Sequence, residues 1–82
     1  MKGEKMNTCY VCEYGWIVIG KETGRTENAV TLKEASVVRR WNNGKGIGGI
    51  AKVENKSEYT LDAIGDVVIR LSKVLFEIPC EW

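Results

Sequence analysis

The sequence predicts an all-β fold, built as a small antiparallel barrel or a strongly bent sheet of five to six strands. Two observations predict it: short runs rich in β-branched and aromatic residues, and turn residues that separate those runs at short intervals. The 82 residues make one domain, residues 9–82, behind a polar segment, residues 1–8, that we expect to be flexible. A core this small is marginal alone, so we expect a homo-oligomer.

The first half of the chain supplies the first three strands. Residues 10–21 fit one strand, and the polar residues 21–28 fit a hairpin loop. Ala29–Leu32 resumes as strand, and residues 31–41 fit either a capped helix or two strands joined by a bulge or tight bend near Lys33-Glu34. We favour the strands, because the run is short and the turn residues Asn42-Asn43-Gly44 follow it.

The second half supplies the remaining strands. Residues 44–52 are glycine-rich and fit either a loop or one short helical turn near residues 46–52. Tyr59–Ile64 and Val67–Leu71 alternate between the two faces of a sheet, with a turn at Gly65-Asp66 between them, and Val74–Ile78 is the last strand. The predicted core residues are Trp16, Val18, Val30, Leu32, Val38, Leu61, Ile69, Leu71, Val74, Phe76 and Ile78.

Charge is unevenly distributed although the net charge is only +1. Residues 31–52 carry five basic and one acidic side chain, whereas residues 53–82 carry three basic and six acidic ones. Two interpretations remain open at this point. The two segments neutralise each other across the fold or an interface, or the basic segment binds an anion.

The cellular location is predicted from what the sequence lacks. No apolar stretch approaches the roughly 18 residues that cross a bilayer, and the N-terminal residues have no apolar signal core. We therefore expect a cytoplasmic protein with no membrane partner. In that compartment the three cysteines are thiols.

The residue types argue against an enzyme. The chain has no histidine, which removes the commonest general base and metal ligand, and no pair of carboxylates has the spacing of an acid–base pair. Cys9 and Cys12 form a C-x-x-C, and Cys80 is the third thiol, but a zinc site needs a fourth ligand. Cys9 and Cys12 would also point to opposite faces of a strand. We expect no cofactor and treat these thiols as weak metal-site candidates.

The candidate ligand site lies in the basic segment. Guanidinium groups bind phosphate, and an indole stacks on a base, so Arg39, Arg40, Trp41 and Asn42 suit a nucleotide-like anion. On a regular strand Val37, Arg39 and Trp41 would share one face and Arg40 would take the other. The alternative is a core tryptophan beside arginines that pair with Glu58, Asp62 or Asp66.

A glycine-rich run extends this candidate site. Residues 44–49 contain a formal G-x-G-x-x-G, but a dinucleotide site needs that motif between a strand and a helix. What remains is either a nest of backbone N–H groups, with Lys45, Gly46 and Gly48 contacting the anion, or a flexible hairpin loop.

Taken together, these motifs resemble a family of small all-β proteins from phages and bacterial genomes. The shared pattern is Val30-Thr31-Leu32 with Ala35, then Val38 and Trp41, a glycine-rich loop, and a terminal Ile78-Pro79-Cys80. The resemblance covers residues 9–80. It implies an all-β fold and phage or prophage origin, hence a location in the host cytoplasm, and it implies no activity.

Three functions are compatible with the sequence. The first is a non-enzymatic phage protein that binds a nucleotide-like anion, a host defence signal or a host protein. The second is a β-barrel module for single-stranded nucleic acid, although such domains are usually more basic. The third is a structural protein whose role is self-assembly or protein interaction.

Overall fold

The computed structural model describes residues 6–82, and it confirms the all-β prediction. Five antiparallel strands form one open sheet, which does not close into a barrel, in the order β4-β3-β2-β1-β5. The strands are β1 (Asn7–Cys12), β2 (Ile17–Arg25), β3 (Ala29–Trp41), β4 (Tyr59–Arg70) and β5 (Val74–Pro79). Short 3-10 turns cover Glu13–Gly15, Ile47–Ala51, Val53–Glu58 and Leu71–Lys73.

The N-terminal segment and the first strand differ from expectation. Residues 1–5 of the segment expected to be flexible lie outside the described residues, and Asn7 and Thr8 belong to β1. The single strand predicted for residues 10–21 is wrong, because a turn at Glu13–Gly15 divides it into β1 and β2. Tyr14 and Gly15 both have positive φ there, 62° and 78°, which reverses the chain within a few residues.

Strands β3 and β4 are each continuous and are bent at the same place. The predicted bulge near Lys33-Glu34 is confirmed, because the β3–β4 register shifts there and Glu34 has a φ of 52°. The division into two strands is wrong, since Ala29–Trp41 is one strand that continues through the bulge. The predicted turn at Gly65-Asp66 is wrong. Gly65 pairs with Ala35 inside β4, and its φ of 81° bends the strand without ending it.

The connection between the two edge strands shows how far the sheet bends. Strands β4 and β5 lie at opposite edges, yet only Leu71–Lys73 links them. Neighbouring strands are about 4.8 Å apart, so a flat sheet of this width would hold its edges too far apart for so short a link. The sheet therefore curves until β4 and β5 approach each other at one end.

The concave face encloses what we call the inner cluster. Its buried side chains come only from strands, so the bent sheet covers this face by itself within the part of the chain that is described. Val30 and Leu32 are completely buried. The buried members are Tyr10, Cys12, Val18, Val30, Leu32 and Ala35.

The rim of the inner cluster is polar. Tyr10 is fully buried, and its hydroxyl donates to Glu22 Oε1 at 2.9 Å. Arg25 Nη2 lies 2.8 Å from Glu22 Oε1 and 3.1 Å from Glu77 Oε1, so it joins β2 to β5. The buried hydroxyl thus keeps a hydrogen-bond partner.

The opposite face carries the outer cluster, and residues 42–58 cover it. We call these residues the covering segment. Ile50 of this segment is completely buried in the outer cluster. The buried members are Cys9, Ile19, Val38, Ile50, Tyr59 and Cys80.

The predicted core is only partly correct. Val18, Val30, Leu32 and Val38 are buried. Two predictions are wrong: Trp16 is 61% exposed because it follows the Glu13–Gly15 turn, and Phe76 is 50% exposed on an edge strand. The other predicted residues are half-buried, namely Leu61, Ile69, Leu71, Val74 and Ile78.

Gly20 of β2 packs tightly against Ala35 of β3. A Cβ atom at this position would lie 3.0 Å from Ala35 Cβ and 3.1 Å from Ala35 Cα. Because one of these atoms belongs to the backbone, the neighbouring strand would have to move to make room. Gly24, four residues later on β2, has open space around it.

We therefore expect Gly20→Val to lower the free energy of unfolding by about 1–3 kcal/mol, because the added side chain overpacks the contact with Ala35. Gly24→Val is the matched control, and it should leave stability unchanged or raise it, since valine favours strands. Urea unfolding followed by circular dichroism measures both. Equal stabilities for the two variants would show that the Gly20–Ala35 contact does not limit side-chain size.

Candidate functional site

Arg39 and Arg40, the basic residues of the sequence-predicted site, lie at the end of β3 and are both exposed. Arg39 is the extra residue of a bulge, because Val38 pairs with Leu61 and Arg40 pairs with Thr60. The guanidinium of Arg39 lies 3.2 Å from Asp62 Oδ2. Among the ion pairs of the described residues, none includes Arg40.

The bulge at Arg39 changes which side chains share a face. Val37 packs against the inner cluster, whereas Val38 and Trp41 pack on the outer cluster. The expectation that Val37, Arg39 and Trp41 share one face is therefore wrong, since the extra residue shifts the alternation. Trp41 is half-buried, with its ring centroid 6.1 Å from that of Tyr59.

The glycine-rich run is packed against the domain and is not a free hairpin loop. The hydroxyl of Tyr59 donates to the Gly46 carbonyl, and the side-chain amide of Asn55 donates to the Gly49 carbonyl at 2.9 Å. A Cβ on Gly49 would lie 2.7 Å from the Tyr59 hydroxyl. Gly48 faces open space, and Asn42 is exposed.

Lys45 is also engaged within the protein. Its ammonium lies 3.0 Å from Glu58 Oε1, and Asn43 donates to the same oxygen at 2.8 Å. These hydrogen bonds, the one from Lys45 first, lower the pKa of Glu58. The structure therefore brings Trp41, Lys45 and Gly46 together around Tyr59 and Glu58. The Lys45 ammonium, however, forms an ion pair with the Glu58 carboxylate.

The two halves of the uneven charge distribution meet in the fold. Three ion pairs join a cation from residues 31–52 to a carboxylate from residues 53–82. They are Arg39–Asp62, Lys45–Glu58 and Lys52–Glu81. Of the two interpretations of the charge pattern, the structure supports mutual neutralisation for these three cations.

The chain's last residues hold the covering segment in place. The indole N–H of Trp82 donates to the Ile50 carbonyl at 2.9 Å, and the ammonium of Lys56 lies 4.8 Å from the centre of the Trp82 ring. Asn7 donates to the Trp82 carbonyl from both its backbone and its side chain. Residues 80–82 therefore connect β1 to the covering segment.

The three thiols are divided between the two faces of the sheet. Cys9 and Cys80 belong to the outer cluster and Cys12 to the inner one, which confirms that Cys9 and Cys12 point to opposite faces. No group of three metal-ligating side chains occurs within residues 6–82. Burial, followed by the nearby thiols, raises the pKa of Cys9 to about 12, and burial also raises that of Cys12 and Cys80. The raised pKa values favour the protonated thiol over the reactive thiolate at neutral pH.

A cleft of about 650 Å³ lies away from the sequence-predicted residues, between Trp82 and the middle of β2 and β3. Its volume falls in the range of small-molecule sites. It is lined by Met6, Lys21, Thr23, Lys33, Glu34, Glu81 and Trp82.

The charges of this cleft are not equivalent. Glu34 accepts a hydrogen bond from Lys21 at 2.8 Å, which lowers its pKa, and the charge of Lys33 acts in the same direction. Glu81 is engaged with Lys52 at 3.1 Å. The ion pairs of the described residues do not include Lys33, so its charge is available to a ligand.

Sequence reasoning missed this cleft because its residues are far apart in the chain. Lys21 and Lys33 flank a hairpin, and Trp82 is distant from both in sequence. The facing of Lys21 and Lys33, which are register partners on β2 and β3, becomes visible only in the folded sheet. Chemically, the cleft offers cations, an indole and a methionine, which suit binding.

Comparison with known proteins finds no matching family model, no similar curated protein and no similar solved structure. The resemblance to small phage and bacterial proteins therefore stays a prediction. Among residues 6–82, no helix has the length and apolar character needed to cross a membrane.

We expect Gly49→Ala to lower the free energy of unfolding by at least about 1 kcal/mol, because the methyl group would collide with the buried Tyr59 and with Lys45 Cβ. Gly48→Ala is the control, since its methyl would enter open space. Thermal unfolding of both variants measures the difference. Wild-type stability in Gly49→Ala would mean that the run is as loose as a flexible loop.

The protein should become less stable at alkaline pH, because the thiol of Cys9 loses its proton more readily in the unfolded chain than in the folded one. Well below pH 9 the thiol keeps its proton in both the folded and the unfolded state, so its ionisation does not lower the free energy of unfolding. As the pH rises from about 9 towards 12, the unfolded chain loses this proton while the folded chain retains it, so the free energy of unfolding falls. The contribution of one thiol is at most about 1.4 kcal/mol per pH unit.

Urea unfolding between pH 8 and 11, under reducing conditions, measures this loss. Cys9→Ala removes the titrating group, so its stability should fall less steeply with pH than that of the wild type, whatever its stability at pH 8. Identical slopes for the two proteins would contradict the assignment to Cys9.

Proposed function

We propose that this protein is a non-enzymatic binding protein that holds a small anionic ligand in the cleft between Trp82 and Lys33. The observation that carries the proposal is the composition of the cleft. Lys33 offers a charge outside the internal ion pairs, and Lys21 lies across the hairpin from it. An anion can therefore be bound without breaking a pair that the fold already uses.

The carboxylates of the cleft do not oppose this proposal. Glu34 and Glu81 are each neutralised by a lysine, at 2.8 and 3.1 Å. Trp82 and Met6 supply apolar wall, so a ligand with an anionic group and a flat apolar part fits best. Nucleotides are one such class, which agrees with the ligand expected from the sequence, at a different location.

Arg40 supports the competing location. It is exposed, it lies outside the ion pairs of the described residues, and it neighbours Trp41 at the end of β3. The neighbouring cations Arg39 and Lys45 are committed to Asp62 and Glu58, which leaves one available charge there. The cleft likewise has one, Lys33, because Lys21 is paired with Glu34. We place the ligand in the cleft because that charge lies beside a volume of about 650 Å³ with an apolar wall.

The test compares two variants that each remove one exposed cation. Isothermal titration with AMP, ADP and inorganic phosphate gives the affinity of the wild type. Lys33→Ala should weaken binding about tenfold or more, because it removes a hydrogen bond to a charged group. Arg40→Ala should bind like the wild type.

The opposite pattern, loss with Arg40→Ala alone, would return the site to residues 39–48. Absence of binding by the wild type to all three probes would overturn the proposed function. Binding of an oligonucleotide that weakens steeply with added salt, without binding of the three probes, would instead favour a nucleic-acid module.

A further inference from the structure

The outer edge of β4 is the longest unpaired strand edge in the described part of the chain. No strand within residues 6–82 pairs with β4 on the side away from β3. Its last five residues, Asp66 to Arg70, run between the bend at Gly65 and the 3-10 turn that begins at Leu71. We call these five residues the edge segment.

Hydrogen bonding to β3 determines which backbone groups of the edge segment point outward. Leu71 N–H donates to the Asn28 carbonyl at 2.9 Å, and the register then pairs Ile69 with Val30 and Val67 with Leu32. Because hydrogen-bonded pairs alternate along an antiparallel ladder, Val67 and Ile69 bond to β3. The N–H and C=O groups of Asp66, Val68 and Arg70 therefore face away from the sheet.

The side chains of the edge segment alternate between the two faces of the sheet. Asp66, Val68 and Arg70 are exposed on one face, with Val68 63% exposed. Val67 and Ile69 pack against the inner cluster but remain half-buried at its open side. A strand added at this edge would complete the burial of both.

We propose that the edge segment pairs with the same segment of a second copy, antiparallel and centred on Val68, to form a symmetric dimer. The sequence Asp66-Val67-Val68-Ile69-Arg70 is complementary to itself when reversed. In this register Asp66 of each copy faces Arg70 of the other, and Val68 faces its own counterpart. Val67 faces Ile69, so the two inner clusters become continuous.

The backbone and the charges select the same register. Pairing centred on Val68 makes the outward-facing residues into hydrogen-bonded pairs, and each pair exchanges both of its bonds. Opposite charges across a strand pair stabilise it, whereas like charges destabilise it. The ion pairs of the described residues include neither Asp66 nor Arg70, so the dimer displaces no internal partner.

A second copy fits this edge better than an unrelated strand, because the two-fold axis of the dimer produces two equivalent Asp66–Arg70 pairs. The paired surface is small compared with the roughly 1,600 Å² of a standard interface. We therefore expect a concentration-dependent equilibrium between monomer and dimer, visible by sedimentation equilibrium.

The first experiment measures dimer dissociation for the wild type, Asp66→Arg and Arg70→Asp. Each single variant places like charges opposite each other at two symmetric positions, and we expect its dissociation constant to rise at least about tenfold. An equimolar mixture of the two variants should dimerise again, because one chain then presents only arginine and the other only aspartate. The double variant should also behave like the wild type.

The second experiment tests the register directly. In Val68→Cys, the two introduced thiols face each other at a Cα separation of about 5.5 Å, which suits a disulfide, so mild oxidation should give a covalent dimer. Ile64→Cys, an exposed position on the same strand outside the edge segment, is the control and should remain uncrosslinked. The wild type controls for the three native thiols, which are buried.

Three results would overturn the proposal. One is a wild type that stays monomeric at every concentration. Another is a dimer whose dissociation constant is unchanged by both charge variants, which would mean a different interface. The third is failure of the mixed variants to dimerise while each retains the wild-type circular dichroism spectrum.

Discussion

The close contact between Gly20 and Ala35 is the constraint on which the rest of the structure depends. Ala35 is buried, with Gly20 packed against it on one side and paired Gly65 on the other. Three small residues thus lie side by side across β2, β3 and β4, where the bulges at Glu34 and Gly65 bend the sheet. Larger side chains here would hold the strands apart and flatten it.

The bend explains how a sheet alone can bury a core. Because β4 curves back towards β5, the three residues Leu71–Lys73 are enough to link the two edges. The inner cluster then lies inside the curve, where Val30 and Leu32 lose all contact with water. The outer face cannot be buried in this way, which is why the covering segment and Trp82 are needed on that side.

The fold was predictable from sequence to the extent that it depends on local patterns. Alternation and turn residues predicted the strand content and the bulge at Lys33-Glu34, and a helical turn near residues 46–52 was one of two alternatives. Two features were not predictable in this way. The Glu13–Gly15 turn uses a positive φ at Tyr14, a residue type that rarely adopts it. Gly65-Asp66 resembles a turn in the sequence, although Gly65 bends a strand that continues through it.

The candidate site was harder to predict, because a sequence does not show which charges will neutralise each other. Arg39 and Lys45 resemble anion ligands in the sequence, but carboxylates that follow them in the chain, Asp62 and Glu58, pair with them in the fold. Trp41 packs on Tyr59, which is another contact that only the folded chain shows. Composition alone therefore exaggerates how much of the basic segment faces a ligand.

The charges that the fold leaves outside its ion pairs indicate binding surfaces better than the net charge of the chain does. Surface ion pairs contribute little stability, so a fold gains little by pairing every charge, and the remaining ones are free to act elsewhere. In the described chain Lys33 lies in the cleft, while Asp66 and Arg70 lie on the outer edge of β4. The edge segment lies between the bend at Gly65 and the turn that begins at Leu71, whereas the cleft lies between Trp82 and β2 and β3. Ligand binding and self-association would therefore occupy separate surfaces, since the cleft is lined by β2, β3 and residues of the two termini, with none from β4.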